Sequence, residues 1–344
     1  MPVKSADELN ELTRKILVAA GASESNAGRV AEALVSAHLA GHDSHGVQQL
    51  PLYVKDIEAG FILPANEPEI VEETAASAII RGHWTFGLVV AKQGIELAID
   101  KAANDNISIV VLTELNHIGR LGEYAEIAAE ADLVSIIAAS GFSEENPVAA
   151  PHGGRKAVLG TNPISMGFPA GDKPMILDFA TTITSGGKIL LAISKGEKAP
   201  PGFLLDADGN PTDDPNKFYE GGALLPFGGH KGFGVMMAVE FLGRILAGGD
   251  RYATPGRGGR IMGHQGVSMI AINPAGFQPL AQYHERAEEL MERVRGVPPA
   301  KGFDEVMAPG DPERRAREVR QRDGIYVAES TWDTLMDLAK SLGV

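Results

Sequence analysis

Between residues 68 and 180 the chain sets down short apolar runs bounded by Gly, Pro and Asn: "EIVEE", "SAIIRG", "ISIVVLTEL", "LVSIIAAS", "ISMGFPA" and "PMILDFA". Runs of this length and punctuation read as strands. Several follow one another directly, and a parallel pair needs a crossover of about a dozen residues between its strands. A doubly wound parallel sheet is therefore disfavoured. The expected fold class is α+β, with a mixed, mostly antiparallel sheet flanked by helices. The helical patterns are "FGLVVAKQGIELAIDKAAND", "RLGEYAEIAAEAD" and "KGFGVMMAVEFLGRILAGG". Neither G-x-G-x-x-G nor G-x-x-x-x-G-K-[ST] occurs, so a Rossmann fold is not indicated.

Both ends of the chain are helical in pattern. Ser5 and Glu8 form a capping box ahead of Leu9, Leu12, Ile16 and Leu17, with Gly21 as the stop. A second helix starts near Glu24, carries Val30, Leu34, Val35 and His38, and halts at Gly41. A third is expected from about Gly46 to Gly60, with Pro51 in its first turn. The tail is helical and charged through "QYHERAEELMERVR", "DPERRAREVRQR" and "TWDTLMDLAKSLG". The stretch "ATPGRGGRIMG", 253–263, reads as a mobile surface loop.

Composition narrows the function. The formal net charge of −14 argues against nucleic acid or an anionic membrane as partner, because both demand clustered Lys and Arg. With no cysteine, a thiol nucleophile, thiolate metal ligands and disulfides are excluded. The start lacks a signal-peptide core, and no apolar run reaches the roughly 18 residues of a membrane span. A soluble cytoplasmic protein is expected.

Chemistry-bearing residues gather in four places. "HLAGHDSHGVQQLPLY" holds His38, His42 and His45. A zinc hydrolase using these three is one alternative, but Gly41 breaks the helix face that His38 and His42 would share. Ser44-His45-Gly46 instead sits in a helix break, where exposed N–H groups disfavour an imidazolium and suit His45 to proton transfer. The bland reading is an N-cap serine beside a surface histidine. His117 follows an apolar strand and precedes a helix with Gly119 and Arg120 in its first turn, a pairing suited to anion binding and proton transfer. Thr161-Asn162-Pro163 and Asp178 mark the corners of a hairpin. Finally, "LPFGGHKGFG" places His230, Lys231 and Gly232 where a Gly-rich turn opens a helix, a natural phosphate seat.

In this order and at this spacing, "DSHGVQQLPLYV", "NHIGRLGEYAEIAAE", "GTNPISMGFPA" with "ILDFATT", and "LPFGGHKGFGVMMAVEFL" resemble the malate/L-lactate dehydrogenase family of non-Rossmann NAD(P)-dependent oxidoreductases. "GHDSHG", "HIGR" and "GGHKG" look most like its hydroxycarboxylate dehydrogenase branch. The resemblance covers nearly the whole chain. It implies a helical domain from residues 1–75 and 280–344 packed on an α+β cofactor-binding domain, 76–279. It also implies a homodimer, NAD or NADP as cofactor, and a small 2-hydroxy acid/2-oxo acid pair as substrate. Cyclic imine carboxylate reduction and ureido-acid oxidation occur in the same family. His45 or His117 would be the acid/base, with Ser44 beside His45. Gln49, Arg120 and Asn162 would face the substrate. Ser140, Asp178, Ala180, Thr181, Lys231, Gly232 and the segment Pro309-Gly310-Asp311 would face the cofactor, and no metal is needed. Two positions depart from the family pattern. Gln49 stands where many members carry an Arg that grips a carboxylate, and Thr182 stands where a serine is usual.

Overall fold

The computed structural model describes residues 2–142, 147–248 and 264–344. The expected loop 253–263 lies outside them. A short strand β1 (Val3–Lys4) leads into helices α1 (Ala6–Ala19), α2 (Glu24–Leu39) and α3 (Leu50–Glu58). Next come β2 (Glu69–Glu73), β3 (Ser77–Arg81), α4 (Gly87–Asp105), β4 (Ile107–Thr113), α5 (Leu121–Glu130), β5 (Val134–Phe142), β6 (Ile164–Phe168) and β7 (Met175–Phe179). Helix α6 (Gly186–Lys195) precedes β8 (Leu204–Leu205), β9 (Pro211–Thr212), α7 (Asn216–Tyr219) and β10 (Ala223–Leu224). Then α8 (His230–Glu240), β11 (His264–Ile272), α9 (Leu280–Arg295), α10 (Asp311–Asp323), β12 (Ile325–Tyr326) and α11 (Glu329–Ser341) follow.

The fold is α+β. Its main sheet has seven strands in the order β2-β3-β4-β11-β5-β6-β7. Among the described strands of this sheet only β3 and β4 pair in parallel, and α4 supplies the crossover between them. The other neighbours run antiparallel. One face is covered by α4 and α5, whose Ile95, Ala98, Ala125 and Ala128 join Leu112, Ile137 and Met269 in the largest core. On the other, Val239 of α8 packs against Ala138 and Ile164.

A second core belongs to the helical ends. Leu9, Ile16, Leu34 and Leu50 meet Ile325 and Leu335 there. The capping box of α1 forms as expected: Ser5 Oγ accepts from Glu8 N, and the Glu8 carboxylate accepts from Ser5 N. β1 and β12 pair antiparallel, Val3 against Tyr326. Residue 75, the expected boundary between domains, falls in the turn between β2 and β3, inside the main sheet. Helix α9 packs through Ala287 and Met291 against Ala170, Met175 and Ala308, not on the core of the helical ends.

The third helix begins at Leu50, later than its pattern suggests. Residues Asp43–His45 and Val47–Gln49 form two separate 3-10 turns, with Pro51 in the first turn of α3. The cause is Gly46, which is extended; a Cβ there would lie 1.6 Å from Nδ1 of His38. The chain bends around a buried imidazole instead of winding a helix through it.

Candidate active site

The three histidines of the opening stretch turn to three different partners. His38 is 3% exposed, and its Nδ1 accepts the Val47 N–H at 3.1 Å. It caps the second 3-10 turn. His42 Nε2 meets Glu313 Oε1 at 3.2 Å, and His45 Nδ1 lies 3.1 Å from Ser44 Oγ. Among the described residues no group of three or more His, Cys, Asp or Glu is placed to hold a metal ion. Gln49 folds back, its Nε2 donating to the Ser44 carbonyl at 2.6 Å.

His117 arrives from the opposite side. The loop after β4 is pinned by Asn116, whose amide donates to the carbonyls of Phe61 at 3.3 Å and Trp84 at 3.2 Å. Gly87, at the start of α4, packs flat on this loop; a Cβ would sit 2.0 Å from the Asn116 carbonyl oxygen. The ring of His117 is thereby set 5.5 Å from that of His45, centroid to centroid, with 30° between the planes. Burial, assisted by His42 and Arg120, holds His45 down at a pKa of about 4. Burial and then the neighbouring His45 hold His117 at about 3. Both rings are neutral near pH 7.

Arg120 is the N-cap residue of α5 and only 3% exposed. Its Nη2 donates to Glu126 at 2.6 Å, while Nε and Nη1 have no hydrogen-bond partner among the described residues. Gly122 makes room for it: a Cβ there would fall 2.4 Å from Arg120 Nη1 and 2.8 Å from Asp178 Oδ2. Asp178 accepts the Gly122 N–H at 2.7 Å. Burial pushes its carboxyl up, against the pull of Arg120. Helix α10 closes this region with one face. Glu313 holds His42, Arg317 donates to Glu126 at 2.9 Å, and Arg320 pairs with Asp43.

The remaining expected residues lie along the far half of the sheet. Ser140 and Asn162 are fully buried. Ser140 Oγ donates to Glu240 at 2.8 Å, and the Asn162 amide donates to the same carboxylate at 2.9 Å and to the Met236 carbonyl at 3.2 Å. Asn162 Oδ1 has no hydrogen-bond partner among the described residues. Thr181 Oγ1 donates to the carbonyls of Thr161 and Asn162. Ala180 joins this threonine to β7. Thr182, also buried, has a hydroxyl without a partner among the described residues, and its backbone bridges to Pro226. From there the chain enters Gly228 and Gly229, with φ of +56° and +63°, and then α8 with Lys231 exposed in its first turn. A Cβ on Gly232 would lie 1.7 Å from the Phe227 carbonyl oxygen, so this turn closes only on glycine. At the sheet's edge, Pro309 accepts the Ile176 N–H at 3.2 Å. Gly310, φ +95°, caps α10, and Asp311 is engaged by Arg295, Arg314 and the Ala308 N–H.

An orphaned buried hydroxyl beside a double-glycine turn with a free lysine at a helix start suits a dinucleotide with phosphates. Sequence reasoning did not find Tyr53, Glu126, Glu240, Glu313 or Arg317. Tyr53 had one usable signal, its position four residues past Gln49 on the same face of a helix.

The sequence pattern of the malate/L-lactate dehydrogenase family matches residues 4–336. L-sulfolactate dehydrogenase of Methanocaldococcus jannaschii is 36% identical over 94% of this chain and 92% of its own. Its solved structure superimposes with a TM-score of 0.90, covering 100% of this chain and 98% of that one. Hydroxycarboxylate dehydrogenase B of Escherichia coli is 33% identical over 98% of this chain and 94% of its own. The structure of delta1-piperideine-2-carboxylate reductase from Pseudomonas syringae gives a TM-score of 0.86 at 31% identity, covering 98% of this chain and 100% of that one. A helical layer from both chain ends on a seven-stranded mixed sheet, the paired histidines and the match over nearly the full length agree: the chain belongs to the malate/L-lactate dehydrogenase family and is a hydroxyacid dehydrogenase that works with a nicotinamide cofactor.

Proposed function

We propose that the cleft between the Ser44–His45 turn, His117 and Arg120 interconverts a small 2-hydroxy acid and its 2-oxo acid. The observation that carries this reading is the pairing of two neutral imidazoles 5.5 Å apart with a buried guanidinium that has two unengaged nitrogens. A buried cation with open N–H groups is a strong anchor for a carboxylate. In oxidation the histidine pair takes the hydroxyl proton, and in reduction it returns it. NAD or NADP, when bound, accepts or supplies the hydride.

Lys231 and the Gly228–Gly229 turn would hold the cofactor phosphates, with Thr181, Thr182, Pro309 and Gly310 beside them. Ser140 and Asn162 act from behind in this reading, because Glu240 engages their side chains. Asp178 orients the first turn of α5 and sets the charge beside Arg120. Gln49, held on the Ser44 carbonyl, gives the substrate end a neutral amide. The enzyme is taken to act as a cytoplasmic homodimer. Exposed apolar side chains such as Phe241, Ile245 and Leu246 support a subunit contact.

The test is a panel of pyruvate, oxaloacetate, phenylpyruvate, a sulfonated 2-oxo acid and a cyclic imine carboxylate, each with NADH and NADPH. Turnover of at least one 2-oxo acid is expected. Turnover of the cyclic imine alone would overturn the assignment in favour of imine reduction, and no turnover at all would overturn both.

A further inference from the structure

Tyr53 comes to the histidine pair from α3, and its hydroxyl lies 2.7 Å from Nδ1 of His117. The residue is 3% exposed, with its ring 6.1 Å from that of Phe86 and 6.1 Å from that of His117. Burial raises the phenol's pKa, so it stays protonated. A neutral phenol both donates and accepts. It is therefore not an acid here, but it can pair with Nδ1 whether or not that nitrogen carries a proton.

His45 has a weaker arrangement. Among the described residues its Nδ1 pairs with Ser44 Oγ, at 3.1 Å, from the adjacent, exposed residue of a short 3-10 turn. Tyr53 is anchored in the helical core through tertiary packing, and its partner sits on a loop pinned by Asn116. Of the two rings, His117 is the one whose orientation is fixed from behind.

We infer that Tyr53 is a positioning residue that holds His117 with Nδ1–H toward the phenol oxygen, leaving Nε2 as the nitrogen that exchanges a proton with substrate. This rests on the dehydrogenase reading above. In oxidation the substrate O–H bond breaks and its proton goes to Nε2. The electron pair of the carbinol C–H bond leaves as hydride to the oxidised cofactor, and the C=O bond forms. The imidazolium keeps its Nδ1–H bond to Tyr53 throughout, so only one nitrogen changes state. This is the general arrangement of a base oriented by a third group.

The test is Tyr53→Phe, which keeps the ring and removes the hydroxyl. In the folded variant kcat for hydroxy-acid oxidation should fall at least about tenfold, within the range that general acid–base catalysis supplies. KM for the acid should stay within about twofold, since Tyr53 does not face the carboxylate anchor. A purely structural role would move KM and thermal stability together with kcat. Imidazole ¹⁵N spectra of the wild type give a readout independent of turnover. A neutral His117 with its proton on Nδ1 is expected, and this preference should be lost in Tyr53→Phe. An Nε2–H tautomer in the wild type would overturn the inference even if the variant fails to fold, as would unchanged kcat in a folded variant. Failure of the wild type on every 2-oxo acid would instead sink the underlying reading while leaving the tautomer result interpretable.

Discussion

Arg120 and Arg317 share one carboxylate: both guanidiniums donate to Oε2 of Glu126, at 2.6 and 2.9 Å. Glu126 thus divides its charge between Arg120 and helix α10. Removing Arg317 should leave Glu126 wholly to Arg120 and reduce the positive charge that Arg120 shows to substrate. Arg317→Met is expected to raise KM for 2-oxo acids about three- to tenfold, on the scale of one weakened charge-assisted contact, with kcat little changed. Steady-state kinetics decide it, and an unchanged KM would mean that the shared carboxylate does not tune Arg120.

Arg120→Met should act more strongly. The loss of a charged hydrogen-bonding anchor is worth about 2–3 kcal/mol, or about 30- to 150-fold in KM for a 2-oxo acid. The same variant should bind an uncharged 2-oxo amide about as well as the wild type does. Equal losses for the acid and the amide would show that Arg120 supports the fold of the site and not the carboxylate.

The histidine pair predicts a pH signature. Folding holds His45 at about 4 and His117 at about 3, whereas in the unfolded chain both titrate near about 6.5. Below that value the unfolded state binds more protons, so their contribution to stability is fully present above pH 6.5. It is lost as pH falls from there toward the folded values. In the oxidation direction the base must be neutral. The acid limb of kcat/KM should therefore lie at about pH 3 to 4, set by His117 and its neighbour His45, measured by brief pH jumps from neutral enzyme. A limb centred near 6.5 would mean that the imidazoles are solvated in the working site.

Lys231 stands exposed in the first turn of α8. Lys231→Ala should weaken dinucleotide binding by about 1–3 kcal/mol, the range of a charge-assisted hydrogen bond. Fluorescence titration with NADH and NADPH provides the Kd values, and unchanged affinity for both would remove Lys231 from the cofactor site.

Gln49 now donates to the Ser44 carbonyl. Gln49→Arg adds a charge beside the histidine turn and should lower KM for compact acids such as pyruvate and oxaloacetate by about tenfold, roughly 1.4 kcal/mol. Phenylpyruvate, held more by apolar area, should gain less. If the ratios among the three do not move, residue 49 does not face the substrate.

Strands in direct succession were enough to disfavour a doubly wound sheet, because strand order constrains topology through crossover length. The central place of β11, between β4 and β5, was not legible, since nothing in "GVSMIAIN" names its partners. The false start of the third helix has a related cause: helical spacing continued through Gly46, but the collision with His38 exists only in three dimensions. His45, His117 and Arg120 stood out because His and Arg beside Gly at helix breaks are chemically conspicuous. Glu313, Arg317 and Arg320 have the spacing of one helix face, yet a charged stripe ordinarily reads as solvated surface. Tyr53 was hidden for the opposite reason, since an aromatic on an amphipathic helix ordinarily reads as core.

The pairing of β1 with β12, and the burial of Leu9, Ile16 and Leu34 against Ile325 and Leu335, also set a timetable. On the ribosome α1 to α3 emerge about 270 residues before β12 and α11, which cover part of their apolar faces. β11 likewise arrives after both of the strands it must separate. The sheet core cannot close before β11 is made, nor the helical core before β12 and α11, and until then the nascent chain carries exposed apolar helix faces and unpaired strand edges. Contacts between residues so far apart in sequence also slow folding. A message truncated before residue 325 would yield a chain with intact histidines and a persistent need for chaperones, and its fate would be aggregation or proteolysis rather than partial activity.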